Sequence, residues 1–168
     1  MAVMTGLSGN EIYCLAKKGY SPGDLVIGNS VFSMGFLGSL SAIGGNIVGG
    51  EVEEITQVIH DGRHQALERM IHEAKERGGV GITGATSELT TFHGQSEFLS
   101  VASTLHSRDS KADQFSFSTS ADGQELYCQL DAGFTPIRFV FGNVAFSIGA
   151  GGGIVGAFKS LARGEIKE

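Results

Sequence analysis

The stretch Gly9–Gly35, GNEIYCLAKKGYSPGDLVIGNSVFSMG, occurs a second time as Gly123–Gly149, GQELYCQLDAGFTPIRFVFGNVAFSIG. The two stretches align without a gap at an offset of 114 residues, and 12 of their 27 positions are identical. At the same offset, GEVEE at Gly50–Glu54 is echoed by GEIKE at Gly164–Glu168. Self-similarity at a fixed offset indicates one structural unit that is used more than once. The sequence therefore predicts a complete unit over residues 1–106, a linker over 107–122 and a partial second unit over 123–168.

Composition limits the classes of protein to which the chain can belong. It has 168 residues, 41% of them hydrophobic, which is enough for one or two small domains with a real core. The net charge of −6 gives no basic surface, so nucleic acid is not an expected partner. The first ten residues lack the basic start and apolar core of a signal peptide, and a cytoplasmic location is expected.

Two uncharged stretches reach the length of a membrane-spanning helix. Leu25–Gly50 has no charge over 26 residues, and Phe139–Phe158 has none over 20. The first of them contains seven glycines, four serines and two asparagines, a composition typical of strands and turns. No membrane span is predicted. The 26 glycines of the chain lack a collagen period and indicate tight turns and close approaches of the backbone.

The pattern along the chain predicts an α+β fold in which one amphipathic helix packs on a mainly antiparallel sheet. The helix is predicted over Glu54–Arg77, with glutamates before its start and Gly78-Gly79 as its stop. Cys14 and Cys128 are expected as buried thiols on strands. The predicted strands are Glu11–Leu15, Leu25–Met34, Val80–Leu89, Glu97–Leu105, an edge strand near Phe115 and Phe117, Glu125–Leu130 and Ile137–Ile148. Turns are predicted at Pro22-Gly23-Asp24 and around the polar His93-Gly94-Gln95. Short helical turns are predicted at Phe36–Ile43 and Ile154–Arg163.

The order of these motifs resembles the YbjQ-like family, whose members carry a heavy-metal-binding label but no established function. The resemblance covers Leu25–His106 in full and Ile137–Glu168 in part. It implies a two-layer, dodecin-like β-α-β-β unit that assembles into a ring, typically a pentamer, and it implies no reaction. The residues that carry it are NSVFS at Asn29–Ser33, Gly50-Glu51, RHQALERM at Arg63–Met70, Glu73-Ala74, GGVGITG at Gly78–Gly84 and VASTL at Val101–Leu105.

The candidate metal ligands do not form a recognisable site. A soft-metal site needs several thiolates or imidazoles that converge on one point, and the two cysteines lie 114 residues apart. His60 and His64 share one side of the predicted helix at i and i+4, with His72 further round, at its polar edge. Surface histidines are the favoured interpretation, and weak metal binding is the alternative. No metal, cofactor or catalytic residue is assigned.

Two charged residues of the predicted helix fall within its apolar sector. Arg63 projects between Met70 and Ala74, and Glu73 projects near Ala66. Arg63 should need a carboxylate or carbonyl partner, because a buried unpaired charge is costly. The favoured interpretation is a pair that fixes helix docking or subunit register, and ligand binding is the alternative.

The glycine runs and the serines do not indicate an enzyme. The runs at 44–50 and 149–153 are not followed by the Lys-Ser/Thr of a phosphate-binding loop, and close packing in an oligomer explains them better. No Gly-x-Ser-x-Gly element is present in the sequence. An enzyme whose site forms between subunits is the least favoured hypothesis.

The sequence predicts a non-enzymatic, ring-forming homo-oligomer, most simply a pentamer. The alternative is a binding module that holds a heavy metal or a small ligand, and an unidentified protein partner is also compatible with the sequence. The partial second unit has no amphipathic helix of its own, so Phe139, Phe141 and Phe146 need a cover. Docking on the first unit or on a neighbouring subunit is favoured over a continuation of the chain that supplies the helix.

Overall fold

The computed structural model describes residues 4–33, 50–51, 53–92, 95–109, 114–144 and 146–147. The described residues form three helices and six strands in an α+β arrangement, as predicted. The predicted helical turns Phe36–Ile43 and Ile154–Arg163, and the turn residues His93 and Gly94, lie outside them. The elements are α1 (Gly9–Lys17), β1 (Tyr20–Ser33), β2 (Gly50–Glu51), α2 (Glu53–Glu76), β3 (Gly81–Phe92), β4 (Gln95–Ser107), β5 (Phe117–Ser118), α3 (Gly123–Asp131) and β6 (Phe146–Ser147).

The chain divides into two compact units, residues 1–32 with 62–141 and residues 33–61 with 142–168. In the first unit the sheet has the order β1-β4-β3-β5. β3 and β4 are antiparallel, with a register shift between Thr83 and Thr86, and β5 is parallel to β3. In the second unit β2 pairs with β6 in antiparallel register, and the Asn143 side chain donates to the Thr56 carbonyl at 3.2 Å.

The long helix confirms the amphipathic prediction. It ends as expected: Gly78 has a positive φ of 73°, and the Gly79 amide donates to the Ala74 carbonyl at 2.9 Å. Its apolar face contributes to one core cluster of the first unit, on which Phe139 and Phe141 also pack. The fully or nearly buried members of that cluster are Val26, Leu67, Met70, Ala74, Ile82, Ala85 and Ala102.

The predicted strands Glu11–Leu15 and Glu125–Leu130 are wrong, because both stretches are helical. Each helix begins with a reciprocal capping box, Ser8 with Glu11 in α1 and Asp122 with Glu125 in α3. In each box the cap side chain accepts from the backbone of the third helical residue, whose carboxylate accepts from the cap amide. These polar residues flank the apolar positions, so the short apolar runs belong to helices rather than strands.

The two short helices pack together and form a second core cluster. It consists of Leu15, Leu105, Phe117, Ala121 and Leu126. The Glu11 carboxylate accepts a hydrogen bond from the Gly123 amide at 3.0 Å, which joins α1 to the first residue of α3. Both helices lead into a glycine with positive φ, Gly19 at 82° and Gly133 at 86°.

The expectation of two buried thiols on strands is also wrong. Cys14 lies on α1 and is half-buried, and Cys128 lies on α3 and is exposed. A short helix that packs on one side has few buried positions. Leu15 occupies one in α1 and Leu126 occupies one in α3, whereas the cysteines do not.

The region after each short helix differs from the prediction in two further ways. Pro22-Gly23-Asp24 belongs to β1 instead of forming a turn. A Cβ at Gly23 would come within 2.9 Å of the Thr104 carbonyl oxygen, so this glycine permits close approach to β4. The predicted strand Ile137–Ile148 is wrong over residues 137–144, which form no regular element, and among its described residues only Phe146–Ser147 is a strand. The edge strand near Phe117 is confirmed.

Candidate functional site

A groove of about 490 Å³ runs along α2 within the first unit. One wall is formed by side chains of α2 between His64 and Lys75, and the other is formed by residues 115–118 and 137–141. Its apolar lining comprises Leu67, Ile71, Phe115, Phe139 and Phe141, and its charged lining comprises His64, Glu68, Lys75 and Arg138. An apolar floor with a few charged groups at the rim is typical of a site that binds a small amphipathic molecule.

Aromatic rings hold the cationic side chains of this groove. The Arg63 guanidinium lies 5.4 Å from the centre of the Phe141 ring, and the His64 ring lies 4.9 Å from the same ring. Lys75 Nζ lies 5.3 Å from the centre of Phe115. Cations over aromatic faces are attracted to the electron-rich ring. Phe115 thus holds the Lys75 charge at the groove, and Phe141 holds the Arg63 charge beside it.

Arg63 has the carbonyl partner that the sequence predicts. Its guanidinium donates to the Ser87 carbonyl at 3.4 Å, which ties α2 to β3. Its Nε is buried and has no hydrogen-bond partner among the described residues, as is also true of the Ser87 and Ser100 hydroxyl oxygens. Ser87 and Ser100 are directly opposed in the β3–β4 ladder. A polar cluster thus lies beside α2 on the sheet.

Glu73 has a different set of partners. Its carboxylate accepts from the Ile27 amide at 3.0 Å and from the Arg77 guanidinium at 2.7 Å. Arg77 also binds Asp24 of β1 at 2.9 Å. The hydrogen bonds that Arg77 donates to Asp24 and to Glu73 raise the pKa of Arg77, so it stays charged. These contacts attach the C-terminal end of α2 to β1, which is the docking role favoured for the charges of this helix.

Among the described residues, which exclude His93, the histidines and cysteines do not come together as a metal site. His60 contacts Asp61 at 3.2 Å, and His72 contacts Glu76 at 3.4 Å, each in an exposed pair. His64 lies against Phe141 instead. Among the described residues no group of three or more His, Cys, Asp or Glu side chains is placed to hold a metal ion.

The sequence predicts no membrane span in the two uncharged stretches. None of the helices among the described residues is long and apolar enough to cross a membrane. Much of the two uncharged stretches lies outside those residues.

Sequence reasoning missed the groove. Its aromatic wall comes from two regions interpreted as a linker and as a strand of the second unit, and no local pattern places them against α2. The sequence carried one signal for it: the phenylalanines of the second copy have no amphipathic helix of their own and must be covered by another part of the structure.

The described residues form an α+β unit in which one long helix packs on a sheet. The chain belongs to the YbjQ family: the family model described as "Putative heavy-metal-binding" matches residues 18–104. This match confirms the resemblance drawn from the sequence. The family is not a known enzyme family.

Two relatives indicate the range of the similarity. The chain is 31% identical over 156 residues to the encapsulin nanocompartment protein Rv1762c of Mycobacterium tuberculosis, an alignment that covers 87% of this chain and 57% of that protein. It is 42% identical over 66 residues to a UPF0145 protein of Archaeoglobus fulgidus, covering 38% of this chain and 59% of the relative. The chain therefore spans less than two thirds of the length of either relative.

Proposed function

We propose that this protein is a non-enzymatic assembly module that forms a closed homo-oligomer, with a pentamer as the simplest ring. The observation that carries the proposal is that one segment exposes three large apolar side chains, Phe134 at 70%, Ile137 at 83% and Val140 at 76%. Contiguous exposed apolar surface usually marks a protein interface. The printed name of the Mycobacterium tuberculosis relative, an encapsulin nanocompartment protein, supports an assembly role.

The proposal includes a two-layer, dodecin-like unit and a partial second unit over residues 123–168. Structural features that recur at an offset of 114 residues support the second unit. They are the capping boxes at Ser8 and Asp122 and the left-handed glycines Gly19 and Gly133. The contact before each helix recurs as well. The Leu25 amide donates to the Met4 carbonyl at 2.8 Å, and the Phe139 amide donates to the Ser118 hydroxyl at 2.8 Å.

Light scattering measures the mass of the purified protein at micromolar concentration and so tests the assembly. The expected mass is a small multiple of 17.6 kDa, and a 17.6 kDa particle would contradict the proposal. Ile137→Asp should shift the mass toward the monomer, because it places a charge in the apolar interface. Thr135→Asp, on the same exposed segment, is the matched control and should leave the mass unchanged.

A second candidate function is a binding module, and the groove along α2 favours it. The site would take a small molecule with an apolar body and a negatively charged group, since Lys75 and Arg138 lie at its rim. His64 and Glu68 supply too few soft donors for a heavy metal. Calorimetric titration with a medium-chain fatty acid separates the two functions, because only the binding module should give saturable heat, whereas zinc, copper and cadmium should give none.

A further inference from the structure

Three polar atoms that lie between α2 and the sheet are buried and have no hydrogen-bond partner among the described residues. They are the Nε atom of Arg63 and the hydroxyl oxygens of Ser87 and Ser100. Ser100 as a whole is 0% exposed. A buried polar group that gives up water without gaining a new partner is costly, and native proteins contain few of them. Three such groups at one position therefore indicate a ligand.

The backbone brings these three atoms together. Ser87 of β3 and Ser100 of β4 are directly opposed in the antiparallel ladder. Their Cβ atoms are therefore about 4.5–5.5 Å apart and lie on the same face of the sheet. The Arg63 guanidinium donates to the Ser87 carbonyl at 3.4 Å, so its Nε lies close to this pair. All three groups are within reach of one small ligand.

The serine pair faces the long helix, and apolar contacts close the space on either side of it. Alternate residues of a strand share a face, and both neighbours of Ser100 on this face of β4 pack toward α2. Ala102 belongs to the core cluster that includes Leu67, and a Cβ at Gly62 would lie 2.5 Å from the Phe98 ring. A ligand at the pair must be small, because the helix is in contact with the sheet on both sides of it.

The charge at this position is positive. Arg63 forms no ion pair with a carboxylate in the part of the chain that the structure describes. Its guanidinium lies 5.4 Å from the centre of the Phe141 ring, which is a weaker partner than a carboxylate. Buried charges in proteins are normally paired. The Nε–H group and the two serine hydroxyls are all hydrogen-bond donors, so a negatively charged acceptor satisfies the three together.

We propose that Arg63, Ser87 and Ser100 form a binding site for one small anion, a monatomic halide such as chloride. The anion accepts hydrogen bonds from Arg63 Nε and from both serine hydroxyls, and it thereby joins α2 to β3 and β4. A water molecule also bridges buried polar groups of this kind, but it would leave the guanidinium without a counter-charge. All three residues belong to the first unit of a single chain, so the site does not depend on the proposed oligomer.

Urea unfolding at constant ionic strength tests the site, with chloride exchanged for gluconate, an anion too large to enter. A ligand that binds only the folded protein shifts the unfolding equilibrium with its concentration. Raising chloride from about 10 to about 100 mM should lower the unfolding equilibrium constant about five- to tenfold. In the double variant Ser87→Ala with Ser100→Ala, the same change should have less than about a twofold effect.

Thr104→Val is the matched control for the double variant. Thr104 lies on β4, is 0% exposed and has a buried hydroxyl without a partner, as Ser100 does. Four residues of a strand span about 13 Å, so this hydroxyl lies outside the site. The variant should therefore keep the chloride dependence of the wild type.

Bromide in place of chloride locates the ion by anomalous diffraction from crystals of the chain. A bromide peak beside Arg63 Nε and the two hydroxyls, together with the lost chloride dependence of the double variant, supports the proposal. A water at this position overturns it, and a peak without chloride-dependent stability is an adventitious ion only and overturns it too. Equal chloride dependence in wild type and double variant also contradicts it. A double variant more stable than wild type at every chloride concentration would show unsatisfied hydroxyls without a ligand.

Discussion

Val26 and Val140 occupy the same position of the 114-residue repeat, yet Val26 is fully buried in the core and Val140 is 76% exposed. Identical residues thus have opposite environments, because α2 covers β1 at this position but not the irregular segment that contains Val140. The pair offers a matched comparison in which the chemistry of the substitution is the same at both positions.

Val26→Ala should lower the free energy of unfolding by about 1.5–3 kcal/mol, the value of burying a valine side chain. Val140→Ala should change it by less than about 0.5 kcal/mol, as is usual for an exposed position. Urea unfolding of the two variants measures both. Equal losses would show that Val140 is buried in the protein in solution, for example in its oligomer.

Glycine at position 28 is required by packing rather than by a turn. A Cβ at Gly28 would collide with the Ala66 carbonyl oxygen, which belongs to the helix backbone and cannot rotate away. Gly28→Ala should therefore destabilise the protein by about 1–3 kcal/mol, the range for overpacking. Gly142→Ala is the control, since no described atom lies within 4 Å of its Cβ. A melting temperature unchanged in Gly28→Ala would contradict the close crossing.

The elements predicted correctly are those whose signal is long or strongly periodic. The α2 helix has an apolar face over several turns and a double glycine at its end, and both features are local. The short helices were missed because the short apolar runs Ile12–Leu15 and Leu126–Cys128 fit a strand as well as one face of a helix. Ser8 with Glu11, and Asp122 with Glu125, held the decisive signal at cap spacing.

The groove could not be predicted by the same means. Phe115 and Phe141 lie 26 residues apart and meet α2 only through the tertiary fold. Residues 134–144 carry a sequence similar to that of β1, but no strand among the described residues pairs with them as β4 does with β1. A strand is stable only with a partner, so the same sequence forms β1 in one copy and an irregular segment in the other.

Acid should weaken the contact between α1 and α3. Burial opposes ionisation of Glu11, but hydrogen bonds from Ser8 and Gly123 outweigh it and lower the pKa of the carboxyl below its usual 4.5. A carboxyl with a lowered folded-state pKa stabilises the protein above pH 4.5, and this contribution is lost as the pH falls through the folded-state value.

Glu11→Gln should therefore lower the free energy of unfolding at pH 7. Below pH 4.5 the variant should lose less stability than the wild type does, because it has no carboxyl to protonate at this position. The expected cost at pH 7 is about 0.5–2 kcal/mol, the range for losing a helix cap. Chemical unfolding at pH 7 and at acid pH measures the difference. Glu88→Gln, an exposed carboxylate on β3, is the control. A mutational cost that is the same at both pH values would exclude a role for the Glu11 charge.

Chelation should leave the fold intact. The described residues contain no group of three or more candidate ligands, and His60 and His72 lie in exposed pairs. Excess EDTA should not shift the unfolding midpoint, and Cys14→Ser and His60→Ala should both fold and assemble. A structural metal would behave differently, because its binding free energy is part of the folding free energy. A loss of several kcal/mol on chelation would reveal one.

The phenylalanines of the second copy should contribute to the stability of the first unit. Phe139 and Phe141 are partly buried against the core cluster, and their ring centres lie 6.0 Å apart. Phe141 also lies under Arg63 and beside His64. Phe141→Ala should therefore cost about 1.5–3 kcal/mol from lost burial. It should also expose residues 132–141 to protease, because Phe141 is one of the two rings that pack this segment against the core cluster.

Phe134→Ala is the matched control, since Phe134 belongs to the same segment but is 70% exposed. Its expected cost in the unfolding of the monomeric variant Ile137→Asp is less than about 0.5 kcal/mol. Both phenylalanine variants are therefore compared in that background, where assembly does not contribute. If Phe141→Ala unfolds at the same urea concentration as Phe134→Ala, and proteolysis releases the segment equally in both, the second copy does not pack on α2. Its phenylalanines would then need a cover from another subunit.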